Sequence, residues 1–251
     1  MIKPKLRLAV IAGIFFSFAA TAQKNITNQS LVWYSYLQTL QLSDKLSLQS
    51  EIVDRRFMNP DAQHQFLIRT HLHKQLGTSG WDASAGICLF LQNPNSPEAA
   101  VKLTVPELRP HIQMAYKQQL EKLLIEHRYR LEARLFHNTN AQKTELEDGY
   151  DFGNFRFRYR LQITIPIVKL GINSSLKLKV ADEIHANIGS KIGSNVFDQN
   201  RFYISTNVDV LKNLAVELGY INWFQEKADA TFYNRNILQL SVYHKIFAYH
   251  K

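Results

Sequence analysis

The stretch Asn154–Ile167, NFRFRYRLQITIPI, places Arg156, Arg158 and Arg160 at every second position, with Phe155, Phe157, Tyr159, Leu161, Ile163 and Ile165 as the large apolar alternates. Successive side chains of a strand point to opposite faces, so this order makes one face cationic and the other oily. The two faces need two environments. One must be wet or filled with counter-charge, and the other must be dry.

The same period runs almost from end to end. Glu51 and Arg55 oppose Leu48 and Ile52; Arg69, His71 and His73 oppose Phe66, Ile68 and Leu72; Glu107, Arg109, His111 and Gln113 oppose Leu108, Ile112 and Met114. Glu126, Arg128, Arg130, Glu132 and Arg134 oppose Ile125, Tyr129, Leu131 and Leu135, and Lys177, Lys179, Glu183 and His185 oppose Leu176, Leu178 and Ile184. Arg201, Ser205, Asn207 and Asp209 continue the pattern against Phe202, Ile204 and Val208. About 11 such segments can be counted, each of roughly 10 to 15 residues, against the usual strand of about five or six. After the first 22 residues no uninterrupted apolar stretch approaches 18 residues, so helical membrane spans are excluded.

The first residues predict the compartment. Lys3, Lys5 and Arg7 precede an apolar run from Leu8 to Ala20, and Ala20 and Ala22 form an A-x-A site. That order is a secretory signal peptide over 1–22, cleaved before Gln23, leaving one domain over 23–251 with no Gly/Ser or Pro-rich linker. Of the net charge of +9, three positive charges lie in the signal, so +6 remains on 23–251. This modest, mixed-sign excess shows no nucleic-acid module. The single Cys88 offers neither an internal disulfide nor a metal cluster.

Connections alternate in length. LSDK at 42–45, GTSG at 77–80, KLG at 169–171 and LKN at 211–213 are short, whereas QNPNSPEAAVKLTVP, HNTNAQKTELEDGYDFG and NIGSKIGSNVFDQ are long. Short turns on one side and long loops on the other describe an antiparallel outer-membrane barrel with periplasmic turns and external loops. A soluble periplasmic barrel binding a small ligand would use the same alternation with its apolar face inward. Strand length favours the membrane reading, since 9–11 tilted residues cross a bilayer. Aromatics near strand ends, including Trp33, Tyr34, Tyr36, Trp81, Phe90, Tyr116, Tyr220 and Trp223, are expected to form interfacial girdles.

Arginine in lipid costs several kcal/mol, so the charged faces are assigned to the lumen. The expected lumen network comprises Glu51, Arg69, Arg109, Glu126, Arg128, Arg130, Glu132, Arg134, Arg156, Arg158, Arg160, Glu183 and Arg201. EHRYRLEAR and RFRYR are expected to be adjacent strands, with Glu126 and Glu132 pairing with the arginines of the second. The lumen is then crowded, closer to a plugged small barrel than to an open pore.

The segments SLQSEIVDRRF, QFLIRTHL, PELRPHIQM, IEHRYRLEARLF, FRFRYRLQITIPI, ADEIHANI, DQNRFYISTNV and LAVELGYINWF resemble the DUF2490 family, exported proteins of Bacteroidota-type bacteria thought to be outer-membrane barrels. The resemblance covers nearly the whole of 23–251, and HRYRLEAR, FRYRL and QNRFY are its most specific parts. It implies a closed barrel and carries no activity. Bacterial single-chain barrels have even strand numbers, so the count of 11 leaves 23–30 as a further strand or the count off by one, within 10–12 strands.

No motif singles out chemistry. His71 and His73 point the same way but lack a third ligand. Ser205, His127 and Asp209 supply the residue types of a hydrolase triad without a motif. NIGSKIGSN lacks the P-loop order. The sequence therefore predicts no cofactor, no metal and no assigned catalytic residue. Its partners are outer-membrane lipid and, during folding, the barrel-assembly machinery. Two roles fit: a non-enzymatic barrel that passes a small solute or supports the envelope, and a lumen or rim enzyme acting on lipid or another envelope component.

Overall fold

The structure is a computed structural model that describes residues 25–171, 174–189, 196–227, 229 and 231–248. The signal peptide expected over 1–22 lies outside the described residues. Among the described residues eleven strands follow one another: β1 Ile26–Gln41, β2 Leu46–Met58, β3 Asp61–Leu76, β4 Trp81–Gln92, β5 Val105–Gln119, β6 Leu124–Thr139, β7 Leu146–Lys169, β8 Ser175–Ile188, β9 Phe197–Leu211, β10 Leu214–Glu226 and β11 Phe232–Phe247. Each pairs with its sequence neighbours, and β1 pairs with β11 to close a barrel. Closure removes every free sheet edge.

Ten of the pairings are antiparallel, but an odd number of up-and-down strands makes the first and last run the same way. The β1–β11 seam is accordingly parallel, from Ile26 opposite Phe232 to Gln41 opposite Phe247. The sheet expected to be wholly antiparallel is therefore mixed. Residues 26–30 are the start of β1, not a twelfth strand.

The register fixes the shape of the barrel. One row of partners runs Gln41, Ser47, His73, Ser84, Gln113, Arg130, Arg158, His185, Gln199, Gln225 and Tyr233, and returns to β1 at Thr27, 14 residues from where it began. A shear of 14 over 11 strands corresponds to a strand tilt of about 41° and a Cα radius of about 11 Å. At that tilt the 13 residues of β2 rise about 32 Å, against about 30 Å for the hydrocarbon core of a bilayer.

The links 42–45, 77–80, 120–123 and 212–213 and the strand ends Lys169 and Ser175 lie at one end, with Gly77 and Gly80 supplying the positive φ that the second of these turns requires. At the other end lie the tight 59–60 hairpin, the connections 93–104 and 140–145, and the strand ends Ile188, Phe197, Glu226 and Phe232. Much of the long loop expected over 137–153 is strand: β6 and β7 stay paired as far as Thr139 opposite Leu146, so only 140–145 turns.

The outer face is apolar. Tyr34, Ile52, Ile68, Leu89, Ile112, Tyr129, Phe157, Ile184, Ile204, Leu218 and Leu238 are all more than a third exposed, a continuous belt far larger than soluble proteins leave uncovered. Near the short-turn end Trp81 packs on Tyr116 at 5.0 Å between ring centroids, and His127 stacks on Tyr116 and Tyr159. Trp33, Phe90 and Trp223, expected in such girdles, are instead buried inside. Trp33 stands opposite Arg55 in the ladder and shares its inward phase, so nearness to a strand end was outweighed by which face the side chain takes.

Candidate functional site

A barrel of this radius has more interior than a layer of small side chains can fill. The space is taken by two kinds of side chain. On the β1, β2, β10 and β11 side, Leu31, Trp33, Phe57, Ile221, Trp223 and Ile237 form a dry cluster, and Val53, Leu67, Cys88 and Phe90 form a second under β2–β4. On the β5–β9 side the interior is an arginine–carboxylate network.

Its centre is the β6–β7–β8 junction. EHRYRLEAR and RFRYR are neighbouring strands, with Arg128 opposite Arg160, Arg130 opposite Arg158 and Glu132 opposite Arg156. Like charges opposite one another repel, so Arg158 and Arg128 pair diagonally and out to a third strand, while Glu132 and Arg156 pair straight across. Arg156 bonds Glu132 at 2.6 Å, and Arg158 spans from Glu132 at 2.8 Å to Glu183 at 2.7 Å. Arg128 also reaches Glu183 at 2.7 Å, and the Tyr203 hydroxyl donates to it at 3.1 Å. Glu132 and Glu183 thus each serve two or more guanidiniums, which fits their near-complete burial.

Around this centre Glu107 holds both Arg109 and Arg134 at 2.6 Å, and Glu51 holds Arg69 at 2.7 Å. Glu126 does not join the expected ladder: it lies toward the short-turn end, 3.6 Å from Lys117, and Glu183 takes the position against Arg158. Arg160 and Arg201 face the interior and donate to Gln162 and Gln199. The thirteen residues named from the sequence therefore all lie on inward-phased positions, with Glu126 at the periphery.

Several members escaped the reading of period two because the strands carry bulges. Between Arg55 opposite Gln65 and Arg56 opposite Gln63, His64 is an extra residue, so His64 and Gln65 both point inward. Asp198 is similarly extra between the pairs His185–Gln199 and Ala186–Phe197, and it turns inward to Arg156 at 3.4 Å. Arg235, Glu217 and Lys179 kept the regular alternation and were legible in principle: Lys179 bonds Glu217 at 2.5 Å.

The 93–104 connection folds over the long-loop mouth. The Asn95 carbonyl accepts from Gln29 at 2.7 Å, and its side-chain oxygen accepts from Arg235 at 3.1 Å and lies 3.0 Å from His64 Nε2. In the 227–231 connection the Thr231 hydroxyl and amide bond Asp229, holding its carboxyl below the usual range.

The residue types of a hydrolase triad are not assembled. Ser205 bonds Glu217 inside, His127 lies on the outer face against the Tyr159 hydroxyl, and Asp209 pairs with Lys177. His71 does acquire a neighbour that sequence reasoning did not name, with Nδ1 3.3 Å from His111 Nε2, while His73 bonds Asp82 at 2.7 Å. Among the described residues no cluster of three or more His, Cys, Asp or Glu is arranged to hold a metal.

These features define a closed all-β barrel with an apolar exterior and a charge-filled interior. Residues 31–234 match the model of a protein family described as "Protein of unknown function (DUF2490)", and the chain belongs to that family. A search of curated protein sequences finds no match. Among solved structures, the NanC porin in a rhombohedral crystal form overlays 86% of this chain and 99% of its own, at 8% identity and a TM-score of 0.47.

Proposed function

We propose that the protein is an outer-membrane β-barrel, exported by the signal peptide over 1–22, whose plugged lumen handles a small polar solute. The observation that carries this reading is the sorting of side chains. Charged partners such as Glu132, Glu183, Arg130 and Arg158 are buried within, while Ile52, Ile112, Leu218 and Leu238 stand outside. A soluble barrel would invert that order, because an apolar belt of this extent in water drives association. The shorter connections then face the periplasm and the longer ones the exterior. Lipid is the standing partner, and the barrel-assembly machinery acts during folding.

The lumen is not an open pore. The aromatic cluster, the arginine network and the inserted Asn95 occupy much of its section, so conductance is expected to be small and solute contact close.

Electrophoresis of the protein purified in detergent, boiled and unboiled on one gel, tests the reading. A closed membrane barrel stays compact and migrates faster until heated. Identical mobility, with solubility in the absence of detergent, refutes it.

A further inference from the structure

Within the lumen lies a cavity of about 140 Å³ whose wall contains seven arginines and two carboxylates, Glu51 and Glu183. Both carboxylates are already engaged, Glu51 by Arg69 and Glu183 by Arg158 and Arg128. Among the described residues Arg55, Arg160 and Arg201 donate only to the side-chain oxygens of Gln65, Gln162 and Gln199 and form no ion pair. In each of the three the buried Nε has no acceptor. A buried guanidinium without a counter-charge is costly.

These three cations are also held in place. Arg55 stacks on Trp33 at 3.9 Å, Arg201 packs on Trp223 at 4.6 Å, and Arg160 lies over Tyr203 at 4.9 Å. Aromatic faces fix the planes of the guanidiniums while leaving their N–H edges to other acceptors. Guanidiniums held in place with spare N–H groups are well suited to recognising planar or tetrahedral oxyanions.

We infer that the cavity is a binding site for a small oxyanion, a carboxylate or a phosphate, held by Arg55, Arg160 and Arg201. The inference rests on the barrel reading above and names the class of solute that the lumen takes. The bound anion supplies the negative charge that the wall lacks. Its volume limits the occupant to a few heavy atoms beyond the anionic group, since one water needs about 10–15 Å³ of such space.

The test is isothermal titration of the full barrel, folded in detergent, with inorganic phosphate and separately with succinate, at constant ionic strength. Trp33 and Trp223, in contact with two of the arginines, report the same event by fluorescence. Saturable binding of either anion is expected, with phosphate alone or succinate alone identifying the preferred source of the oxyanion. Arg55→Gln and Arg201→Gln should each weaken it at least about tenfold. Arg56→Gln, on the outer face in a pair with Asp61, removes the same charge and should leave binding unchanged. The unheated gel band of each variant reports folding. Absence of saturable binding in a heat-modifiable barrel, or binding indifferent to Arg55→Gln and Arg201→Gln, overturns this inference and leaves the barrel reading standing. Loss of heat-modifiability in the parent protein overturns the barrel reading itself.

Discussion

Ile112 is the middle residue of β5, seven positions from Val105 and seven from Gln119, and it is 60% exposed on the outer face. Its ladder partners Ala85 and Leu131 and its strand neighbour Met114 keep the surroundings apolar. At the barrel's tilt, seven residues place Ile112 about 17 Å from either end of the strand, beyond the reach of an arginine side chain toward the headgroups. Ile112→Arg therefore puts a cation near the bilayer midplane, at a cost of about 2–4 kcal/mol. That is a fall of about 30- to 700-fold in the folding equilibrium. In water the same exchange of an exposed apolar residue for a charged one changes stability by no more than about 0.5 kcal/mol. The next residue, Gln113, faces inward and accepts from Arg130 Nε and Nη2 at 3.0 and 2.7 Å. Gln113→Glu adds a carboxylate where a buried guanidinium needs one, and it should be neutral or stabilising. Urea-driven unfolding from lipid vesicles, followed by tryptophan fluorescence and gel mobility, measures both variants. Equal stability of Ile112→Arg and the parent would refute the assignment of this face to lipid.

Three further outcomes follow from the interior. Glu132→Gln leaves Arg156 and Arg158 without a carboxylate they share, and a loss of about 3–5 kcal/mol is expected in the same unfolding assay, partly recovered when Arg158→Gln is added. Gly86→Ala would bring a Cβ within 2.1 Å of the Thr70 carbonyl oxygen and 2.4 Å of His71 Cβ, so a loss of about 1–3 kcal/mol from overpacking should appear as a lower midpoint. Asn95→Ala removes the side-chain oxygen that bridges His64 and Arg235, and it should raise single-channel conductance in planar bilayers while leaving heat-modifiability intact.

Period two was enough to place the arginines of RFRYR inside and their phenylalanine neighbours outside, because a one-residue slip would exchange the two environments wholesale. The adjacency of HRYRLEAR to RFRYR followed from chain order. What the alternation could not carry was set by distance or by irregularity. Glu126 stayed at the periphery, and Glu183 joined Glu132 as a counter-ion of Arg158 because the β7–β8 register brings its carboxylate diagonally level with that guanidinium. His64 and Asp198 came inside through bulges, which break the parity that a sequence reading depends on. Trp33 and Trp223 showed the opposite limit. They obey parity fully, but their type suggested lipid; inside, they pack in the dry cluster with Leu31, Phe57, Ile221 and Ile237 and carry Arg55, Arg201 and Arg235 on their faces.

The parallel β1–β11 seam has a consequence for how such a chain can be rewired. Ile26 begins β1 at the long-loop end, while Phe247 finishes β11 at the short-turn end, a full barrel height away. Joining the two strands to make a circular permutant would require a linker running the length of the wall, about 32 Å or more, where an even-stranded barrel would need only a hairpin. The same geometry means that duplication of whole hairpins, which adds strands in twos, does not by itself give a wall of eleven.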